Sequence, residues 1–384
     1  MKKIPLIDLV RTFSILAVLA HHLGLSFITS TTTFQPLAIL WFKLWASGYY
    51  GVWMFFLISG FLITRVIASS PGGLFQPDFR DFYARRVGRI FPLLAFICIL
   101  GMGLNAFISP SSPGFENCLL LPSGPHISLF WLSIVTFTEN LFKIFIEPHG
   151  YRLSLGWGVL WSLAIEEQFY LFYPFILKAL GNRRRLVYFL VLMIIVGPSS
   201  TAIASLFWHK YRVIAFNPAA SYNSFAGFGL IAMGCLLHLV LEQFQNQLAE
   251  QKKLRASLCL LGLLIMGITY WHINVSIDFG WMDLGPSLVG AGLFLFLLGA
   301  MDWNIWNADA FKILSLPGQY SYGGYLYHAF ILFVFWSFFK GMNDFQAYFL
   351  FICATTLVSW LSYRYYEMPL NALIRKYFGS PPKK

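Results

Sequence analysis

The first pairing in this chain that suggests chemistry is Arg11 with His22, both inside a run of apolar residues. Eleven residues make three turns of α-helix, so the two side chains return to nearly the same face, ~16 Å apart along the axis. Charged groups in apolar surroundings are costly and need a partner or a function. Asp8, one turn before Arg11, can pair with it. A neutral imidazole titrates near physiological pH and suits proton abstraction from a hydroxyl. His22 is therefore a candidate general base, and Arg11 a candidate anchor for an anionic group. The plainer alternative is an interfacial arginine reaching the headgroups beside a satisfied core histidine. His21 lies about 100° round the helix and reads as structural.

Three further groups carry chemistry. In Phe82-Tyr-Ala-Arg-Arg-Val-Gly-Arg-Ile-Phe-Pro92, Arg86 and Arg89 share a helix face while Arg85 points elsewhere. Such a pair suits bidentate phosphate binding, and an anchor on lipid phosphates explains it equally well. In Trp157-Gly-Val-Leu-Trp-Ser-Leu-Ala-Ile-Glu-Glu-Gln-Phe-Tyr-Leu-Phe-Tyr-Pro174, Glu166 and Glu167 sit mid-way along an apolar span. Both cannot face lipid, so one meets a cation or is protonated. Ser162, Glu166 and Tyr170 form one polar stripe, from which Glu166 can orient His22 or lock an arginine. In Ser321-Tyr-Gly-Gly-Tyr-Leu-Tyr-His328, Ser321, Tyr325 and His328 share a face, to assist a donor site or to pack helices. Arg364 and Glu367 are expected to pair structurally. Ser59 and Gly60 look like close helix packing through small residues. No metal-type histidine cluster, phosphate-binding glycine loop or serine-hydrolase elbow is present.

The elements that must position these residues are membrane helices. Of the 384 residues 58% are apolar and 11% charged, against about a quarter charged in a soluble domain, and the mean hydropathy is +0.66. The 13 Trp and the 19% aromatic content suit rings at two membrane interfaces. The expected fold is all-α, a polytopic membrane bundle of about ten transmembrane helices. Spans are placed near 5–28, 45–66, 87–108, 157–179, 186–207, 221–241, 255–274, 283–301, 318–339 and 344–366. The first resembles a signal peptide at Lys2 and Lys3 but lacks a small-residue cleavage site, so it reads as a retained helix.

Charge decides the ambiguous stretch 128–146. If it crosses, Arg183, Arg184 and Arg185 fall outside, against the positive-inside rule. With both termini cytoplasmic and 128–146 not crossing, most of the 27 Lys and Arg residues face the cytoplasm. The net charge of +11 then reports topology, and no nucleic acid is implied. The segment 128–146, carrying Glu139, Asn140 and Lys143, is expected on the outer surface or re-entering the protein. It belongs to the outer connection 109–156, the best candidate for a lid or acceptor-binding element. Residues 1–370 read as one membrane domain and 371–384 as a short basic cytoplasmic tail. Cys98, Cys235, Cys259 and Cys353 lie in apolar spans and Cys118 lacks a partner on its side, so no disulfide framework or metal site is suggested.

In this order, the motifs resemble the membrane acyltransferase-3 family. They are Asp8-x-x-Arg11 with His22, Gly51 with Ser59-Gly60-Phe-Leu-Ile, Phe82-Tyr-x-Arg-Arg-x-x-Arg, Trp161-Ser-Leu-x-x-Glu-Glu-Gln-Phe-Tyr170 and Ser321-Tyr-x-x-Tyr-Leu-x-His328. The resemblance implies transfer of an acyl group, most often acetyl from acetyl-CoA or another acyl-CoA as co-substrate, to a hydroxyl of a carbohydrate. The acceptor implied is a cell-surface or exported glycan or a lipid-linked sugar, in the bacterial cytoplasmic (inner) membrane, with no metal. It further implies that Arg11 with His22 and Arg86 with Arg89 are essential. Trp53 stands where an acidic residue is common, Tyr327 replaces a usual Trp and Phe330 a usual Pro. In this reading His22, Glu166 and Glu167 are catalytic, and Arg11, Arg86, Arg89, Ser321, Tyr325 and His328 bind the donor. The competing class is a transporter or flippase that uses the same Arg, His and Glu residues as a substrate or proton path.

Overall fold

The computed structural model describes residues 4–27, 47–107, 121, 126–146, 153–210, 222–271, 284–301, 303–338 and 344–379. Cys118, most of the connection 109–125 and the end of the basic tail lie outside them. Within a hydrocarbon layer each backbone N–H and C=O must be satisfied inside its own segment, which leaves the helix as the form these apolar stretches adopt. The described residues form helices and no strands. They are α1 (Pro5–Phe27), α2 (Tyr50–Ala68), α3 (Phe79–Phe107), α4 (Ile127–Val135), α5 (Glu139–Phe145), α6 (Leu155–Gly158), α7 (Leu160–Leu180) and α8 (Arg183–Lys210). Then follow α9 (Ser224–Glu250), α10 (Lys252–Trp271), α11 (Gly285–Ala300), α12 (Asp309–Leu314), α13 (Leu316–Gln319), α14 (Ser321–Phe338), α15 (Asp344–Ser362) and α16 (Met368–Phe378).

The chain is a polytopic helical membrane protein. Seven of its described helices are long and apolar enough to cross a bilayer, and α11 is a shorter apolar helix. The remaining two expected spans are α7 and α14, which hold the polar residues singled out above. Each of the ten expected spans thus overlaps one described helix of 16 residues or more. Their outer faces are apolar, as on α10, where Leu260 is 70% exposed and Leu261, Leu263 and Leu264 follow it to the surface. Contiguous apolar exposure on this scale marks contact with lipid. The stretch 128–146 is no single span. It breaks into α4 and α5, nine and seven residues long, around Phe137, whose φ of 53° is left-handed. Neither piece reaches the ~20 residues that crossing requires.

Two compact units divide the chain. The first comprises residues 1–66, 165–169 and 182–319, and the second 67–164, 170–181 and 320–384. In the first, α2 and α9 meet at glycines: a Cβ on Gly60 would fall 1.8 Å from the Ile231 carbonyl, and one on Gly234 1.8 Å from that of Leu57. This is the close small-residue packing expected of Gly60. Arg183 ties the start of α8 to α9 through Glu242 Oε2, at 2.9 Å, and through the Leu239 carbonyl. In the second unit, α3 packs along α16, with Arg80 Nε donating to the Phe378 carbonyl at 3.0 Å. The tail is therefore helical through Phe378.

One expected pair is corrected. Residues Tyr363–Glu367 form a π-helical turn between α15 and α16. The wider turn takes Arg364 and Glu367 off a common i, i+3 row. Arg364 is exposed, whereas Glu367 is buried and accepts from Ser362 Oγ at 2.9 Å. Ser362 in turn accepts from the Tyr327 hydroxyl at 2.9 Å. Cys98, Cys235, Cys259 and Cys353 are free thiols.

Candidate functional site

In the first unit, α1 carries Arg11 and His22 on one unbroken helix, which fixes their ~16 Å axial offset. Arg11 Nη1 meets Asp8 Oδ1 at 3.3 Å, with both side chains at least 85% covered (13% and 15% exposed). The same turn is pinned from outside: Thr12 Oγ1 donates to the Asp8 carbonyl at 3.1 Å and accepts the Gly318 N–H at 2.9 Å. The short helix α13 thus grips the backbone that presents Arg11. His22 is half-buried. His21 lies with its ring 5.3 Å from that of His22 and 6.0 Å from Tyr49. Around them the Tyr49 and Tyr50 rings lie tilted at 4.4 Å between centroids, and Tyr50 meets Tyr270 edge-on at 5.3 Å.

Two helices contact the carboxylate-bearing turn of α7 in the same unit. Ser59 Oγ on α2 donates to Glu166 Oε1 at 2.7 Å, and Ser224 Oγ on α9 donates to Gln168 Oε1 at 2.8 Å. Ile165 packs where a Cβ on Gly227 would stand. Glu167 is half-buried. Ser59 is a partner of Glu166 that sequence reasoning missed, having been assigned to packing with Gly60. The signal was present: a serine hydroxyl in an apolar helix needs an acceptor, either its own i−4 carbonyl or a polar group on another helix. Thr64 takes the first route, to the Gly60 carbonyl at 2.9 Å.

The second unit holds the remaining candidates. The Arg86 guanidinium lies 4.0 Å from the ring centroid of Tyr170 and 6.0 Å from that of Phe82. That places a half-buried cation over the fully buried Tyr170 face, a cation–π arrangement. Among the described residues Arg86 has no carboxylate within ion-pair distance. Arg89 is exposed and acts electrostatically on Glu367. Arg85 turns away, as expected, to Asp81 at 2.6 Å.

Ser321, Tyr325 and His328 line one buried face of α14. The Tyr325 hydroxyl donates to the Val159 carbonyl at 2.8 Å, so the Ser162 hydroxyl, 2.7 Å away, donates to it. His328 is fully buried, with Nδ1 2.6 Å from the Tyr325 carbonyl. A carbonyl only accepts, so Nδ1 carries the proton. The Tyr322 hydroxyl donates to the Ile90 carbonyl at 2.9 Å, joining this helix to the one that bears Arg86 and Arg89. The expected polar stripe on α7 is thus resolved into three separate bonds: Ser162 to Tyr325, Glu166 to Ser59, and the Tyr170 face to Arg86. Among the described residues no three His, Cys, Asp or Glu side chains stand together as a metal set.

Comparison with known proteins adds three findings. Residues 4–364 match a family model described as an acyltransferase domain. The O-acetyltransferase OatA of Staphylococcus aureus (strain NCTC 8325 / PS 47) is 24% identical over 390 residues, covering 99% of this chain and 59% of the relative. A second Staphylococcus aureus protein (strain COL), named as a candidate O-acetyltransferase, is 25% identical over 378 residues, covering 97% of this chain and 58% of its own. This chain therefore spans a little over half the length of these relatives. No solved structure matches it.

Proposed function

Since this chain belongs to the acyltransferase family whose domain its residues 4–364 match, we propose that it is a membrane O-acyltransferase. It moves an acetyl or other acyl group from acyl-CoA to a hydroxyl of a glycan or lipid-linked sugar, in the bacterial cytoplasmic membrane with both termini inside. OatA, an O-acetyltransferase by name, supports the acetyl group.

The observation that carries the donor assignment is the setting of Arg86. An arginine held by the face of Tyr170 rather than by a carboxylate keeps its full charge and its planar donor fork for an incoming anion. Coenzyme A supplies such anions in its phosphates. Arg89, one turn on, adds a second cation, and Arg11, held by Asp8 on α1, is a further candidate for an anionic group.

In the reaction, His22 takes the proton of the acceptor hydroxyl as its oxygen attacks the thioester carbonyl. The C–S bond breaks, and the proton passes to the departing sulfur, so ester and free CoA thiol form without net proton change. Glu166, with Glu167 beside it, is the carboxylate that favours the cationic imidazole along the way. Ser321, Tyr325 and His328 belong to the donor-binding set in this reading.

The test is thiol release from acetyl-CoA by protein in nanodiscs, wild type beside His22→Ala. Release that requires His22 is expected. Turnover by the folded variant at the wild-type rate overturns the base assignment, and translocation of a sugar substrate with no acyl-CoA consumed overturns the enzyme reading in favour of a transporter.

A further inference from the structure

The start of α3 and the length of α16 lie antiparallel and touch at two places. At one, a Cβ on Gly88 would fall 3.2 Å from Asn371 Oδ1. Two turns earlier on α3, Arg80 Nε donates to the Phe378 carbonyl at 3.0 Å. At 1.5 Å per residue the stretch between the two contacts is ~12 Å long. Along it lies a groove of about 420 Å³, lined by Phe79, Tyr83, Ala84, Val87, Ile374 and Phe378, with Arg80 its charged member. That volume falls in the range of roughly 300–1,000 Å³ typical of small-ligand sites.

The walls are fixed and the mouth is open. The Tyr83 hydroxyl donates to the Leu171 carbonyl at 2.6 Å, and the Phe79 ring packs on Phe175 at 4.8 Å between centroids. On the outer side Val87 is 39% and Phe378 65% exposed, and Leu373 and Tyr377 reach the surface beside them. Apolar surface left open in this way is unfavourable in water and calls for an apolar occupant.

Cations surround the groove. Arg80 spends Nε on the Phe378 carbonyl, and its two Nη groups make no bond among the described residues. Arg375, one turn before Phe378, is exposed, and Lys178 Nζ lies 5.5 Å from the centroid of the Phe79 ring. The neighbouring acids are already engaged. Asp78 accepts the Asp81 N–H at 3.0 Å, and Asp81 pairs with Arg85 at 2.6 Å. After Glu367 the sequence carries Arg375, Lys376, Lys383 and Lys384 and no acidic residue.

We propose that the groove between α3 and α16 binds one anionic glycerophospholipid, its acyl chain along Ala84, Val87 and Ile374 and its phosphate on the Nη groups of Arg80. A guanidinium held through Nε still presents two donors to a phosphate. Basic residues at the end of a membrane helix attract anionic headgroups, and tyrosines such as Tyr83 and Tyr377 favour headgroup level. A soluble anion would leave the apolar walls uncovered, whereas a lipid satisfies walls and cation together. None of Arg11, Arg86, Arg89, Ser321, Tyr325 and His328 lines the groove, so the site stands apart from the donor set.

The test is native mass spectrometry of the full chain from detergent micelles carrying phosphatidylglycerol or phosphatidylcholine with identical acyl chains. Retention of one phosphatidylglycerol per chain is expected, with phosphatidylcholine held about fivefold or more weaker. Arg80→Gln and Arg375→Gln should each weaken phosphatidylglycerol by about fivefold. Val87→Trp should fill the groove and expel both lipids. Arg375→Gln guards against misfolding, because its side chain is exposed, and Arg184→Gln, an exposed cation on α8, is the control that retains wild-type binding. Equal retention of the two lipids, phosphatidylglycerol binding unchanged in all three groove variants, or its displacement by acetyl-CoA overturns the site. A dimer that Val87→Trp separates, with no lipid held, overturns it in favour of a contact between copies.

Discussion

Replacing Ser59 by Ala deletes one atom and tests whether the Glu166 carboxylate is held for function. The Ser59 hydroxyl donates to Glu166 Oε1 at 2.7 Å, the usual length of an O–H···O hydrogen bond. A hydrogen bond to a charged group contributes about 1.5–3 kcal/mol, and its loss is softened where water can substitute. Ser59 is half-buried, which places the expected cost near the lower bound, about 1.5 kcal/mol. If that energy orients the carboxylate toward the reacting centre, kcat falls about tenfold, with KM for acyl-CoA unchanged. Ser59→Thr keeps the hydroxyl and should restore most of the rate. The assay is thiol release from acetyl-CoA in the presence of acceptor, across substrate concentrations, on protein shown to be folded by its thermal transition. The double variant Ser59→Ala/Glu166→Gln should be no slower than Glu166→Gln alone, because the serine acts through the carboxylate. A kcat for Ser59→Ala within twofold of wild type, or full additivity in the double variant, refutes the reasoning.

The remaining predictions address other contacts. His22→Ala should lower turnover by about 100-fold or more, the usual contribution of a general base, with expression and thermal midpoint retained in the same preparation. Arg86→Lys keeps the charge but loses the planar stack on Tyr170, so KM for acyl-CoA should rise about fivefold, as for a loss of ~1 kcal/mol, and Arg86→Ala should raise it further. Tyr325→Phe removes the donor to the Val159 carbonyl and the acceptor for Ser162. It should destabilise the protein by about 1–3 kcal/mol, read as a lowered thermal midpoint in detergent, and an unchanged midpoint would show that bond to be dispensable.

How much was legible in the sequence depended on whether the deciding physics was local. The polytopic helical bundle was readable because bilayer thickness fixes a length and hydropathy fixes a composition, neither needing a partner. Charge counting separated 128–146 from the spans, and the structure shows two short helices there. The Asp8–Arg11 pair was readable because both residues belong to one turn. The Arg364–Glu367 pair failed on the same rule, since a π-helical turn changes the row spacing and no residue type announces it. Ser59 and Glu166 are 107 positions apart; periodicity identified each as facing inward and said nothing of their meeting. The cationic face over Tyr170 was likewise visible only as two features on separate segments.

The ways the arginines are satisfied separate a scaffold from a binding site. A scaffold built from intramembrane charges pairs each cation with a carboxylate, because an unpaired charge in apolar surroundings is what such a lock exists to avoid. Arg85 follows that rule with Asp81, and Arg183 with Glu242. Arg86 departs from it, held by an aromatic face that fixes its position and leaves its charge uncompensated among the described residues. A ring orients a guanidinium without spending its donors. The arrangement therefore makes sense where an anion arrives from elsewhere, and Tyr170→Leu distinguishes the two readings. Loss of the ring should weaken acyl-CoA binding about as much as Arg86→Lys. Because Tyr170 is fully buried the thermal midpoint should also fall, so binding is compared on protein shown to be folded. A lowered midpoint with unaltered acyl-CoA binding would make Arg86 a structural residue and move the donor site off this face of α3.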